Sequence, residues 1–132
     1  MESDQDKEEQ KKKIYKIAVV GGRDYNDYAH LTESLNPIIL NLKDKYELFI
    51  VSGGCKGADS LASQYAKENL IRLIEFLPEW NTKGLAAGPI RNKQIVQNAN
   101  EVIAFWDGKS KGTKSTIELT RFYKKPLKIV FY

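Results

Sequence analysis

Four short loops pair glycine with small or charged polar residues: Gly21-Gly22-Arg23-Asp24, Ser52-Gly53-Gly54-Cys55-Lys56-Gly57-Ala58-Asp59, Ala87-Gly88-Pro89-Ile90-Arg91-Asn92 and Gly108-Lys109-Ser110-Lys111-Gly112-Thr113. Three of them run from an apolar stretch towards a helical pattern. Glycine lets the backbone approach a ligand, and a helix start offers unpaired N–H groups at a positive dipole end. Several such loops at one sheet edge make a crevice suited to phosphate.

Each loop brings its own candidates. Gly53 and Gly54 precede a helix start at Gly57-Ala58, in neither the GxxxxGK[ST] nor the GxGxxG arrangement. Asp59 falls in the first turn, where it caps the helix or hydrogen-bonds a ribose hydroxyl. Cys55 has no base in its own stretch, and the only histidine, His30, lies on a separate helix, so Cys55 is not read as a nucleophile. Gly88-Pro89 reads as a helix start with proline at the first helical position, which puts Arg91 and Asn92 in the first turn. An arginine there can clamp a phosphate bidentately. Ser110 or Thr113 can cap the last helix beside Gly112. Glu118, one turn on, is either an acid–base group or a solvated carboxylate. Arg23 and Asp24 pair with each other or with a ligand. Trp80 and Trp106 flank the loops, where a tryptophan stacks on a base or packs in the core. His30 is read as a helix-surface residue.

The elements that must position these residues alternate along the chain. Apolar runs at Lys16 to Val20, Leu48 to Val51, Leu70 to Leu77, Val102 to Trp106 and Leu127 to Tyr132 read as buried strands. Between them, Leu31, Leu35, Ile38, Ile39 and Leu42 recur at helical spacing, as do Ala58, Leu61, Ala62, Tyr65 and Ala66. Ile95, Val96 and Ala99 mark a third helix, and Ile117, Thr120 and Phe122 a fourth. Pro37 is expected to kink or split the first helix. The pattern predicts an α/β fold: one Rossmann-like, doubly wound, mainly parallel five-stranded sheet flanked by helices, over residues 16–132. Residues 1–15 are charged and polar, and read as a disordered tail.

The bulk numbers narrow the classes. The chain has 132 residues, 42% of them hydrophobic, which suits a single core. A net charge of +4 is too modest for the dense basic stripe of a dedicated nucleic-acid binder. A single cysteine excludes an internal disulfide and a multi-cysteine metal site. No apolar run is long enough to span a membrane, so a cytoplasmic location is expected, with no membrane partner.

Gly-Gly-Arg-Asp-Tyr (21–25), Ser-Gly-Gly-Cys-Lys-Gly-Ala-Asp (52–59), Trp80, Ala-Gly-Pro-Ile-Arg-Asn (87–92) and Gly-Thr (112–113) together resemble the YspA-like branch of the SLOG superfamily. That superfamily joins the DNA-processing protein DprA with LOG, the cytokinin-activating phosphoribohydrolase. The resemblance runs from about Lys16 to Tyr132 and implies a Rossmann-like fold binding nucleotides or their derivatives over the strand ends. Some members sense nucleotide-derived signals, and the LOG type hydrolyses the N-glycosidic bond of a nucleoside monophosphate. The hydrolytic branch uses an arginine at a helix start, which Arg91 matches, and a glutamate after a Pro-Gly-Gly-x-Gly-Thr loop. Here Asp107 to Lys111 replace the loop's proline and glycine pair. Glu118 comes two residues late, a rotation of about 200° on a helix.

The reading is therefore of a binding module for a nucleotide or nucleotide-derived ligand, ADP-ribose-like or cyclic nucleotide, that senses or sequesters it without catalysis. Gly21, Gly22, Arg23, Ser52, Gly53, Gly54, Gly57, Asp59, Trp80, Gly88, Arg91, Asn92, Gly112 and Thr113 are the expected ligand-binding residues. A LOG-like phosphoribohydrolase is the first alternative, with Arg91, Glu118 and Asp59 as catalytic candidates, and DprA-like nucleic-acid binding is the second. No metal site or cofactor is expected beyond a magnesium ion arriving with a phosphate. A homo-oligomer is expected, and nucleic acid is set aside as a partner.

Overall fold

The computed structural model describes residues 12–132. Five strands, β1 (Lys13–Gly21), β2 (Tyr46–Ser52), β3 (Arg72–Glu75), β4 (Glu101–Trp106) and β5 (Leu127–Phe131), form one all-parallel sheet in the order β3-β2-β1-β4-β5. Helices α1 (Tyr28–Leu42) and α2 (Ala58–Glu68) cover one face. The other face carries α4 (Ala87–Asn98) and α5 (Lys111–Phe122), with a one-turn helix α3 (Trp80–Lys83) and a 3₁₀ turn (Gly84–Ala86) leading into α4.

Alternation along each strand explains the two layers. Ile17, Val19, Ile50, Ile103 and Phe105 point to the side packed by Leu31, Leu35, Ala62 and Tyr65. Ala18, Val20, Val51, Val102 and Ala104 point the other way, against Ile95 and Ile117. A central strand with helices on both sides must be apolar throughout, which is why Ile17 to Val20 reads as an unbroken run. Full burial of a side chain such as Leu31 or Leu35 contributes roughly 1.5–3 kcal/mol.

Several boundaries differ from those expected. Most of the expected charged tail lies outside the described residues. Its described end is already strand, because Lys13, Ile14 and Tyr15 pair with Tyr46, Glu47 and Leu48 of β2. Backbone pairing, which the sequence pattern does not register, extends β1 beyond its buried part. Helix α1 runs unbroken through Pro37. Asp27 caps its start by accepting from the His30 amide at 3.0 Å, and the buried Leu31, Leu35 and Ile39 hold it to the sheet on both sides of the proline. β3 is four residues long rather than eight, since Leu70 is an exposed turn residue with φ 54° and Phe76 and Leu77 lie beyond the ladder. Phe122, expected on the buried face of α5, is exposed; Thr113, Thr116, Ile117 and Thr120 form that face instead.

In the strand order, β2 and β3 lie on one side of β1 and β4 and β5 on the other. The chain therefore reverses its direction of travel between β1 and β4, and the loops leaving those strands diverge. Open α/β sheets hold ligands in that opening.

Candidate functional site

A crevice of about 390 Å³ occupies this switch point. Its walls are the β1 end and following loop (Val20 to Asp24), Cys55 and Asp59 from the approach to α2, Arg91, Asn92 and Ile95 from α4, and Ser110, Gly112, Thr113 and Thr116 from the start of α5. A volume in this range suits a small ligand.

The β1 loop is welded to the β2 loop and to β4 by backbone contacts. The Ala58 amide donates to the Gly22 carbonyl at 3.1 Å, and the Gly22 amide donates to the Phe105 carbonyl at 3.2 Å. Gly57 adopts φ 75°, and a Cβ there would run into the Gly22 and Arg23 carbonyl oxygens. A Cβ on Gly21 would lie 2.6 Å from the Phe105 carbonyl oxygen and 2.8 Å from Ala58 Cβ. These glycines serve loop-to-loop packing. Tyr132 fastens the outside of the β1 loop: its hydroxyl donates to Asp24 Oδ1 at 2.7 Å, and its ring packs on Tyr25. Burial and the Asp24 carboxylate push the Tyr132 hydroxyl's pKa well above the ordinary tyrosine range. Tyr25 stacks on Phe105 and shares a 2.7 Å hydrogen bond with His30 Nδ1. His30 is thus part of an aromatic support under the loop rather than a plain surface residue. Burial raises Tyr25 to about 12.

Arg91 is a buried cation, 8% exposed. Its Nη1 donates to the Gly53 carbonyl at 2.7 Å and lies 3.5 Å from Cys55 Sγ, while Nε donates to Asn92 Oδ1 at 3.0 Å. The helix starts at Ala87, after the 3₁₀ turn, so Arg91 and Asn92 sit in its second turn rather than its first. With Nε and Nη1 engaged, Arg91 anchors the β2 loop and cannot close a free fork on a phosphate. Asp59 holds the same loop from the other side: it is buried, and its Oδ2 accepts from the Cys55 amide at 3.1 Å. It makes no side-chain cap at Gly57. Burial raises its pKa, and the Cys55 amide and the Arg91 charge oppose that rise.

The β4–α5 loop is built differently. Asp107 Oδ1 accepts from the amides of Lys109 and Ser110, both at 2.8 Å, and these bonds hold its carboxyl below the usual range. Trp106 Nε1 donates to the Ser110 carbonyl at 3.1 Å, so this tryptophan steadies the loop. Ser110 caps α5, with its Oγ 3.5 Å from the Thr113 amide. A Cβ on Gly112 would meet no heavy atom within 4 Å.

Of the expected ligand-binding residues, Gly21, Gly22, Arg23, Asp59, Arg91, Asn92, Gly112 and Thr113 line the crevice. Ser52, Gly53, Gly54, Gly57, Gly88 and Trp80 do not, nor does the catalytic candidate Glu118. Ser52 is fully buried, with its Oγ accepting from the Gly54 amide. A Cβ on Gly54 would strike Leu77, and Gly88 faces the Trp80 ring. Trp80 is 48% exposed over a separate shallow hollow and does not enclose the crevice. Glu118 is exposed, as its two-residue offset from Thr116 on α5 requires. Val20, Asp24, Cys55, Ile95, Ser110 and Thr116 also line the crevice, outside the expected ligand-binding set. Thr116 had a signal in the Thr113, Thr116, Thr120 spacing of one helix face. Among the described residues no group of three or more His, Cys, Asp or Glu is placed to hold a metal ion.

The model of the YspA, cpYpsA-related SLOG family matches residues 15–82, just over half of the chain. The chain belongs to this family. The match takes in the first two glycine loops and ends before α4. The Gene 61 protein of Mycobacterium phage D29 is 29% identical over 105 residues, covering 75% of this chain and 82% of that relative. Among solved structures, DprA of Streptococcus pneumoniae superposes with TM-score 0.68 at 23% identity, over 88% of this chain and 50% of its own. DprA of Helicobacter pylori gives 0.67 at 24%, over 87% of this chain and 64% of its own. TM1055 gives 0.59 at 21%, over 88% and 72%. This SLOG chain therefore spans less than two thirds of either DprA, and the superpositions establish a shared fold.

One expectation is overturned by these neighbours. Size and net charge set nucleic acid aside, yet the Helicobacter pylori protein, with this fold, has a single-stranded DNA binding mode. Whole-chain charge was the wrong quantity. Glu2, Asp4, Asp6, Glu8 and Glu9, only partly offset by Lys7 and Lys11, lower it from outside the described residues, while Arg23, Lys56, Lys109 and Lys111 are exposed on the crevice loops. No helix among the described residues is long and apolar enough to cross a membrane.

Proposed function

We propose that the crevice binds a nucleotide or nucleotide-derived ligand by its phosphate, for sensing or sequestration without chemistry. The observation that carries this reading is the convergence of Arg23, the partly committed Arg91 and the open, capped start of α5 on one crevice at the switch point. A helix start with a hydroxyl cap and an unobstructed glycine favours an anion, and an exposed arginine opposite supplies mobile charge. The position of Glu118 outside the crevice weighs against the hydrolytic alternative. The test is NMR of the protein with nucleoside mono- and diphosphates, ADP-ribose and cyclic nucleotides, followed over hours. Broadened lines from an intact ligand are expected, with affinity falling roughly tenfold in Arg23→Ala for loss of one charge-assisted contact. Free base accumulating with time would replace this reading with glycosidic hydrolysis.

The DprA neighbours favour a second reading, single-stranded nucleic acid over the same loop edge, with Lys56, Lys109 and Lys111 against the backbone. A labelled single-stranded oligonucleotide titrated at several salt concentrations tests it. Affinity should fall steeply with salt, and less steeply once two of these lysines are replaced.

A further inference from the structure

The two ends of the crevice differ in chemistry. Ser110, Gly112 and Thr113 form an anion-favouring end at the start of α5. At the other end sits Asp59, 8% exposed, with one oxygen bonded to the Cys55 amide. The Gly53 amide and the Cys55 thiol also bear on this carboxylate, yet a carboxylate has about four acceptor positions, so Asp59, which lines the crevice, keeps acceptor capacity. Arg91 lies beside it and its charge acts on the carboxylate, but its Nη1 donates to the Gly53 carbonyl rather than to Asp59.

We infer that Asp59 holds the sugar hydroxyls of the bound nucleotide, so that the crevice selects ribonucleotides over their deoxy counterparts. This rests on the nucleotide reading of the same crevice. A phosphate placed against Asp59 would face a buried carboxylate, whereas a hydroxyl donates to it. Phosphate at the α5 start and ribose at Asp59 satisfies both ends at once. Burial sharpens the choice: a site built to bond a hydroxyl leaves its polar groups without that partner when the hydroxyl is missing. The raised pKa of Asp59 fits a carboxyl group kept away from solvent.

Titration calorimetry with AMP, 2′-deoxy-AMP and 3′-deoxy-AMP, repeated with the guanine series, tests this. The unaltered protein should bind the ribonucleotide about tenfold or more tightly than at least one deoxy form, as loss of a hydroxyl–carboxylate bond implies. Asp59→Ala should bring the ratio close to one. If that variant does not fold, Asp59→Asn keeps an acceptor for the Cys55 amide. A neutral bond has about half the energy of a charged one, so its ratio should drop to about threefold. Equal affinity of the unaltered protein for ribo and both deoxy forms overturns this inference and leaves the nucleotide reading standing. A ratio unchanged in Asp59→Asn also overturns it. Failure of every nucleotide to bind overturns the nucleotide reading and this inference with it.

Discussion

A methyl group placed on Gly57 would lie 2.6 Å from the Arg23 carbonyl oxygen, whereas one placed on Gly112 would meet no heavy atom within 4 Å outside its own helix. Both glycines sit at the start of a sheet-covering helix, after a loop from the carboxyl end of a strand. In the first loop pair glycine allows backbone to pack on backbone, and Arg91 and one oxygen of Asp59 are engaged in holding that arrangement. In the β4–α5 loop glycine keeps a space clear. One side of the crevice is thus a rigid floor whose polar groups are mostly satisfied by protein. The other side has been left open. The same residue type marks structure in one place and access in the other, and only the neighbours tell them apart.

The largest effect should come from breaking the welded side. Gly57→Ala combines a positive φ with backbone collisions and should lose roughly 2–4 kcal/mol in urea denaturation. A loss under about 0.5 kcal/mol would show the loops to be loosely joined. Tyr132→Phe removes the hydroxyl that pins Asp24 and should cost about 1 kcal/mol by the same measurement.

Asp59 gives a test by pH. Its folded-state pKa is raised, so the native state binds more protons than the unfolded chain between the ordinary value of 3.8 and the raised one. Its contribution to stability therefore declines as pH rises through that window. Asp59→Asn should flatten the decline and make the protein more stable near neutral pH, as read from denaturation midpoints across a pH series. A steeper decline in the variant would mean that the carboxylate is stabilising after all. The smallest change in stability should come from Gly112→Ala, with a gain of up to about 0.5 kcal/mol from helix propensity. Nucleotide affinity measured on the same variant should nevertheless fall. A fall in both would put Gly112 among the packing glycines.

Much of the fold was legible because burial on both sheet faces writes itself as apolar runs, as in Ile17 to Val20 and Val102 to Phe105. Elements held by other forces were not legible. Lys13 to Tyr15 belong to β1 through backbone pairing, and α1 continues past Pro37 because Leu35 and Ile39 are both seated. The helical lead-in at Trp80 to Ala86 was hidden by Gly88-Pro89, a convincing helix start that falls inside a longer helical stretch. The crevice was legible as a place, since Arg23, Arg91, Gly112 and Thr113 do converge there. The roles of Gly53, Gly54 and Gly57 were not, because a glycine needed for loop packing carries the same letter as one needed for a ligand. Thr116 was recoverable from its spacing. Cys55 lines the crevice through the path of its loop, which no periodicity records, and Val20 through its place at the end of β1.

The bond between Tyr132 and Asp24 joins residues 108 positions apart, and Gly22 is bonded to Phe105 across a comparable span. In a chain made from its N-terminus, the first three strands and both helices of one layer exist before any of these partners. The crevice is thus completed late in synthesis. A nascent chain arrested before Glu101 would carry both welded glycine loops and no crevice, and competence should appear only once residues 101–122 have emerged and paired.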